Sequence, residues 1–245
     1  MRVQGSGFQR YRLQETGSVN LQCRREALLI KFEHTSKFYK VDGRKKLILG
    51  NVTTQFESGY SYGLLGVNGA GKSTTLRLIA GNELPNSGRI RRNVRISWPM
   101  GFGGGFHPLM SGRENVKLVA RAYGHDARRT LEFVEDFAEI GDYIDSPVKN
   151  YSSGMMARLA FGMSMAVEFD CYLIDEILAV GDMRFQDKCK AAFERRRQHS
   201  DLIVVSHSMT TIKEYCTRGA VLVDGQLMMF DSVDEACSIY TRLNR

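Results

Sequence analysis

The sequence predicts an α/β protein built around a parallel sheet. Three observations carry that expectation. From residue 171 onward, short apolar runs alternate with helix-like stretches: "CYLID", 184–198, "LIVVSHS", 209–216, "GAVLVDG" and 232–243. Alternation at that spacing is the signature of strands joined by crossover helices. A glycine-rich loop, "GVNGAGKST", stands between a strand-like run, "SYGLLGV", and a helix-like run over 73–80. The region from Ala27 reads as antiparallel strands, because "ALLIKFEH" and "LILGNVTTQFE" alternate apolar with polar residues and are rich in β-branched and aromatic types.

The remaining elements follow in chain order. Residues 1–26 are polar, rich in Gln and Arg, and show neither period, so they read as a flexible extension to a domain spanning 27–245. "ENVKLVARAYG" and "ARRTLEFVEDFAEIG" carry apolar residues at helical spacing, among them Leu131, Val134, Phe137 and Ala138. "ARLAFGMSMAVEF" reads as another helix. Together these suggest a helical subdomain at about 101–165. No internal repeat or low-complexity segment interrupts the pattern.

Composition excludes several classes. The 245 residues are 43% apolar, 25% charged and 10% aromatic, which fits a folded domain with a sizeable core. No apolar run reaches the ~18 residues that cross a bilayer, and the N-terminus lacks the apolar centre of a secretory signal. Five cysteines, Cys23, Cys171, Cys189, Cys216 and Cys237, form no CxxC pair and suit neither zinc nor a disulfide framework. The net charge of +7 is spread out. Its clusters at 89–95 and 195–197 lack the interleaved aromatics that stack bases, so they read as solvated surface and no nucleic-acid partner is expected.

The glycine-rich loop fits G-x-x-x-x-G-K-[ST] at Gly66, Gly71, Lys72 and Ser73. A loop that wraps a triphosphate brings backbone N–H groups against oxygens and needs positive φ, and glycine permits both. Asn68, Gly69, Ala70 and Thr74 complete the cradle, and the next helix adds its N-terminus. Lys72 would place a cation at the β- and γ-phosphates, and Ser73 a hydroxyl on Mg²⁺. ATP and Mg²⁺ are therefore the expected ligands. "CYLIDE" ends a short apolar strand in two acids at the sheet edge that faces the same crevice. Asp175 would hold Mg²⁺ and Glu176 would polarise the attacking water.

With these motifs in place, "YSSGMMARL" makes the chain resemble the ATP-binding-cassette (ABC) ATPases, P-loop enzymes with a RecA-like parallel core. Their signature loop, usually Leu-Ser-Gly-Gly-Gln, precedes the helix that leads to the Mg²⁺ strand. Ser152, Ser153, Gly154 and Met155 match it, with Ser153 at the first glycine and Met155 at the glutamine. The resemblance implies that this loop contacts the γ-phosphate held by a second copy of the chain. It also implies a D-loop at Ala179–Asp182, a γ-phosphate switch at His207 and an adenine-stacking ring at Tyr39. One departure stands out. The family's glutamine after the strand near 94–98 is missing, and a glycine-rich stretch, "GFGGGF", takes its place, with His107 as the nearest substitute.

"SWPMGFGGGF", "SGRENVKLVARAYG" and "DEILAVGDMRFQDKC" look like the ATPase subunit of capsular polysaccharide exporters of Gram-negative bacteria, over roughly 28–242. O-antigen and teichoic acid exporter ATPases are similar but less close. The resemblance implies an integral membrane permease as partner, an ATP-sandwiched homodimer, a peripheral position on the cytoplasmic face of the inner membrane, and no saccharide site on this chain. A non-transport ABC ATPase is the rival reading.

Overall fold

The computed structural model describes residues 28–41, 43–100, 105–175, 182–206 and 208–244. Residues 1–26, Glu176 and His207 lie outside them. β1 (Leu28–Val41) and β2 (Arg44–Glu57) form a long antiparallel hairpin, and β1 pairs on its other side with β4 (Ser87–Arg92). This three-stranded layer has the order β2-β1-β4. β4 was not legible in the sequence, because five of its six residues are Ser, Gly or Arg in an exposed run. Its cross-strand charges explain it. Glu33 of β1 takes ion pairs from Arg89 and Arg91.

The second layer is the expected parallel sheet. Among the described residues its order is β5-β6-β7-β3-β8-β9, where β5 is Ile96–Met100, β6 Cys171–Asp175, β7 Asp201–Val205, β3 Tyr62–Leu65, β8 Arg218–Val223 and β9 Gln226–Phe230. The first five are parallel, and β8 and β9 are antiparallel. β3, β6 and β7 are nearly continuous buried runs, as strands covered on both faces must be. Pro99 lies in β5, the rim strand, where the missing N–H leaves fewest ladder bonds unmade.

The helices are α1 (Lys72–Ala80), α2 (Gly112–Ala122), α3 (Ala127–Ala138), α4 (Ser153–Ala166), α5 (Met183–Arg197), α6 (Met209–Tyr215) and α7 (Val233–Leu243). Their starts are written in the sequence. Ser111 and Glu114 form a reciprocal capping box on α2, and the Asp126 carboxylate accepts from the N–H groups of Arg128 and Arg129 on α3. α3 buries Leu131, Val134, Phe137 and Ala138, the residues the helical period selects. The Phe137 ring contacts Phe133, Phe161 and Phe185 at centroid distances of 5.7, 5.8 and 5.8 Å. It therefore joins α3, α4 and α5. Truncating a buried aromatic side chain of this kind costs about 3–5 kcal/mol. Phe137→Ala should lower the denaturation free energy by that amount, read from urea unfolding, and a loss below about 1 kcal/mol would contradict this packing.

Cys171, Cys189, Cys216 and Cys237 are free and buried. Burial pushes the Cys189 and Cys216 thiols up to about 12, so at neutral pH they stay protonated and act as small apolar side chains.

Candidate nucleotide site

β3 runs into the loop at 66–71, and that loop opens α1. Gly69 and Gly71 adopt φ of +78° and +109°, where side chains are strained. Space also excludes a side chain. A Cβ on Gly71 would lie 2.5 Å from Ile48 Cγ2, and one on Gly66 would lie 2.7 Å from the Leu222 carbonyl oxygen. Gly71 is also the N-cap of α1 and supplies no side-chain cap, so the first N–H groups of the helix are left facing the loop. The loop curls around Lys72. Its buried Nζ donates to the carbonyls of Gly66 and Val67 at 2.7 and 3.1 Å.

This loop borders a cavity of about 340 Å³. Of the residues singled out in the sequence, Tyr39, Asn68, Gly69, Gly71, Lys72, Ser73, Thr74 and Asp175 line it. Asp175 enters from the end of β6, the strand beside β7 and two places from β3. Gly66 and Ala70 are not among the lining residues. They frame the loop instead, since the Gly66 carbonyl holds Lys72 and the Ala70 N–H closes back on Val67 at 3.1 Å.

Three lining residues were missed by sequence reasoning: Lys46, Ile48 and Val205. Alternation along β2 could have found two of them. Lys46 is the register partner of Tyr39 across the hairpin, and Ile48 is two residues further on, so all three share a sheet face. Lys46 is exposed, with its Nζ 3.8 Å from the position a Gly69 Cβ would take. It adds a second cation at the loop's lip.

The signature-like loop stands apart. Ser152 and Ser153 are exposed at the start of α4 and do not line the cavity. The Ser152 Oγ accepts from the Met155 N–H at 3.2 Å and caps the helix. Gly154 follows within the first turn, where an added Cβ would meet Ser152 Oγ at 3.9 Å. Asp182, the described end of the expected D-loop, caps α5 through the Phe185 N–H and pairs with Arg158 of α4 at 2.8 Å. The Phe185 N–H bond holds the Asp182 carboxyl below its usual range, and Arg158 adds to that effect. His107 is exposed, donates its backbone N–H to Asn115 Oδ1 at 2.7 Å and is absent from the cavity lining.

The family described as ABC transporter matches residues 49–179, which covers the glycine loop, the signature-like stretch and the acidic strand end. The chain belongs to the ABC transporter family. Capsule polysaccharide export ATP-binding protein CtrD of Neisseria meningitidis serogroup B is 46% identical to this ABC cassette over 215 residues, 88% of the chain and 100% of that protein. Polysialic acid transport ATP-binding protein KpsT of Escherichia coli is 47% identical over 217 residues, 87% of the chain and 99% of that protein. Among solved structures, the dimeric post-hydrolysis state of the ATP-binding cassette MJ0796 bound to ADP and Pi is similar, with a TM-score of 0.68 at 19% identity, covering 84% of this chain and 99% of that one. At that identity the likeness establishes the fold.

Proposed function

We propose that this chain is the ATP-hydrolysing subunit of a capsular polysaccharide exporter, held against the cytoplasmic face of the inner membrane by an integral membrane permease. One observation carries the chemistry: Tyr39 of β1, Lys72 and Ser73 of α1, and Asp175 of β6, from three separate stretches of the fold, line one cavity. Full-length similarity to capsule export ATP-binding proteins supports the transport role.

The adenine stacks on Tyr39, and the phosphates run along the N–H groups of residues 68–74 toward Lys72. The Ser73 hydroxyl and the Asp175 carboxylate are hard oxygen donors in the same cavity, the donor chemistry that Mg²⁺ takes. Held by these two side chains, Mg²⁺ would supply charge neutralisation for the phosphates. Glu176 accepts a proton from the attacking water as the bond to the β-phosphate oxygen breaks, and His207 contacts the γ-phosphate. Ser152, Ser153 and Gly154 of a second copy close over the same phosphate. The exposed position of Ser152 and Ser153, away from their own chain's cavity, supports a site completed between two chains. Cleavage removes these contacts and the pair reopens, which drives the permease. Recognition of the sugar belongs to the permease.

Among the described residues no helix is long and apolar enough to cross a membrane. Co-expression with candidate permeases tests the proposal. The chain should sediment with membranes that contain its partner and hydrolyse Mg-ATP there. If it stayed in the supernatant with every candidate yet hydrolysed ATP, the non-transport reading would replace this one.

A further inference from the structure

Glu83 lies just beyond α1, two residues past its glycine cap, and faces the hairpin layer. Its carboxylate accepts from three donors. The Tyr39 hydroxyl and Lys37 Nζ both reach Oε1, the latter at 2.8 Å, and Arg77 Nε reaches Oε2 at 3.2 Å. Arg77 extends the cluster, since its Nη2 reaches the Tyr39 oxygen at 3.4 Å and Thr74 Oγ1 at 3.0 Å. Buried Lys37 also donates to the Leu84 carbonyl at 2.9 Å and stands 5.1 Å from the centre of the Tyr39 ring. Burial opposes ionisation of Glu83, but the bonds from Lys37, Tyr39 and Arg77 outweigh it and hold the carboxyl below its usual range. It is a stable anion at neutral pH.

This cluster joins two parts of the cavity that no strand pairing connects. Tyr39 belongs to β1, whereas Thr74 and Arg77 belong to the helix that follows the phosphate loop. An unrestrained tyrosine ring turns about two side-chain bonds, and freezing it on binding costs affinity. Here the phenol is already anchored at its far end, while the ring lines the cavity.

We propose that Glu83 is a positioning residue for the nucleotide base: it fixes the Tyr39 ring relative to the phosphate loop in the orientation that stacks adenine. The inference rests on Tyr39 being the stacking ring. Glu83 touches no nucleotide atom itself. Its effect is therefore confined to ligands that carry a base.

Binding of Mg-ATP and of inorganic tripolyphosphate to the full chain separates the possibilities. Stacking on one aromatic contributes enough that Tyr39→Ala should weaken ATP about tenfold or more. Glu83→Ala should weaken ATP about threefold to tenfold and leave tripolyphosphate affinity unchanged, which also shows that the loop is folded. Glu83→Gln, whose amide oxygen still accepts from the Tyr39 hydroxyl, should recover part of the loss. In a Tyr39→Ala background, Glu83→Ala should add nothing. Equal losses for ATP and tripolyphosphate, additive losses in the double variant, or unchanged ATP affinity in Glu83→Ala would each overturn the role. If Tyr39→Ala left ATP affinity intact, the stacking assignment would fail and the positioning role with it. If Tyr39→Ala weakened ATP and Glu83→Ala did not, only the positioning role would fail.

Discussion

Glu176→Gln is expected to cut ATP turnover by about 10²–10⁴-fold, the range a positioned general base supplies, while nucleotide binding survives. The residue follows Asp175, which lines the cavity beside the glycine loop from the end of β6. Glutamine keeps the size and the hydrogen-bonding reach but cannot take up a proton at neutral pH. ATP should then bind, draw two copies together and stay uncleaved. Phosphate release measures the first effect, and the mass of the Mg-ATP-loaded protein by light scattering measures the second. Turnover at the wild-type rate would take the proton-acceptor role away from Glu176.

Lys72→Met acts at the preceding step. The Lys72 ammonium is buried and spans the Gly66 and Val67 carbonyls, so it both closes the loop and charges it. Methionine fills much of the volume and brings no charge. Losing a charge aimed at the reacting phosphates should cost about 10²–10³-fold in turnover. ATP affinity should fall as well, since the ground-state phosphates lose the same cation. The two carbonyls also lose a donor, at about 1–3 kcal/mol if they stay buried. That predicts a lower unfolding midpoint, by several degrees for a chain of this length. Fluorescent-nucleotide binding, phosphate release and thermal unfolding separate these effects. A variant that binds and hydrolyses ATP normally would remove Lys72 from the site.

The parallel core was readable because its strands are buried on both faces and leave continuous apolar runs, as in "CYLID" and "LIVV". The phosphate loop was readable because its glycines answer to positive φ and close contact with Ile48 and Leu222. β4 escaped because its partner charges lie over fifty residues away, on Glu33. β9 escaped because "QLMMF" alternates poorly and depends on pairing with β8. Lys46 and Glu83 escaped for a related reason. Neither sits in a motif, and each enters the cavity's surroundings only through register or packing with Tyr39. Local spacing carries the backbone cradle, whereas the side chains around Tyr39 depend on how the two layers meet.

The parallel sheet also ends in a way that bears on how copies can join. On one rim, Pro99 interrupts the row of donors along β5. On the other, the Gly50 N–H of the hairpin donates at 2.8 Å to Gly225, at the turn into β9. Neither border invites an additional strand from a neighbour. Growth of this sheet into a continuous ribbon of molecules is therefore disfavoured at both margins.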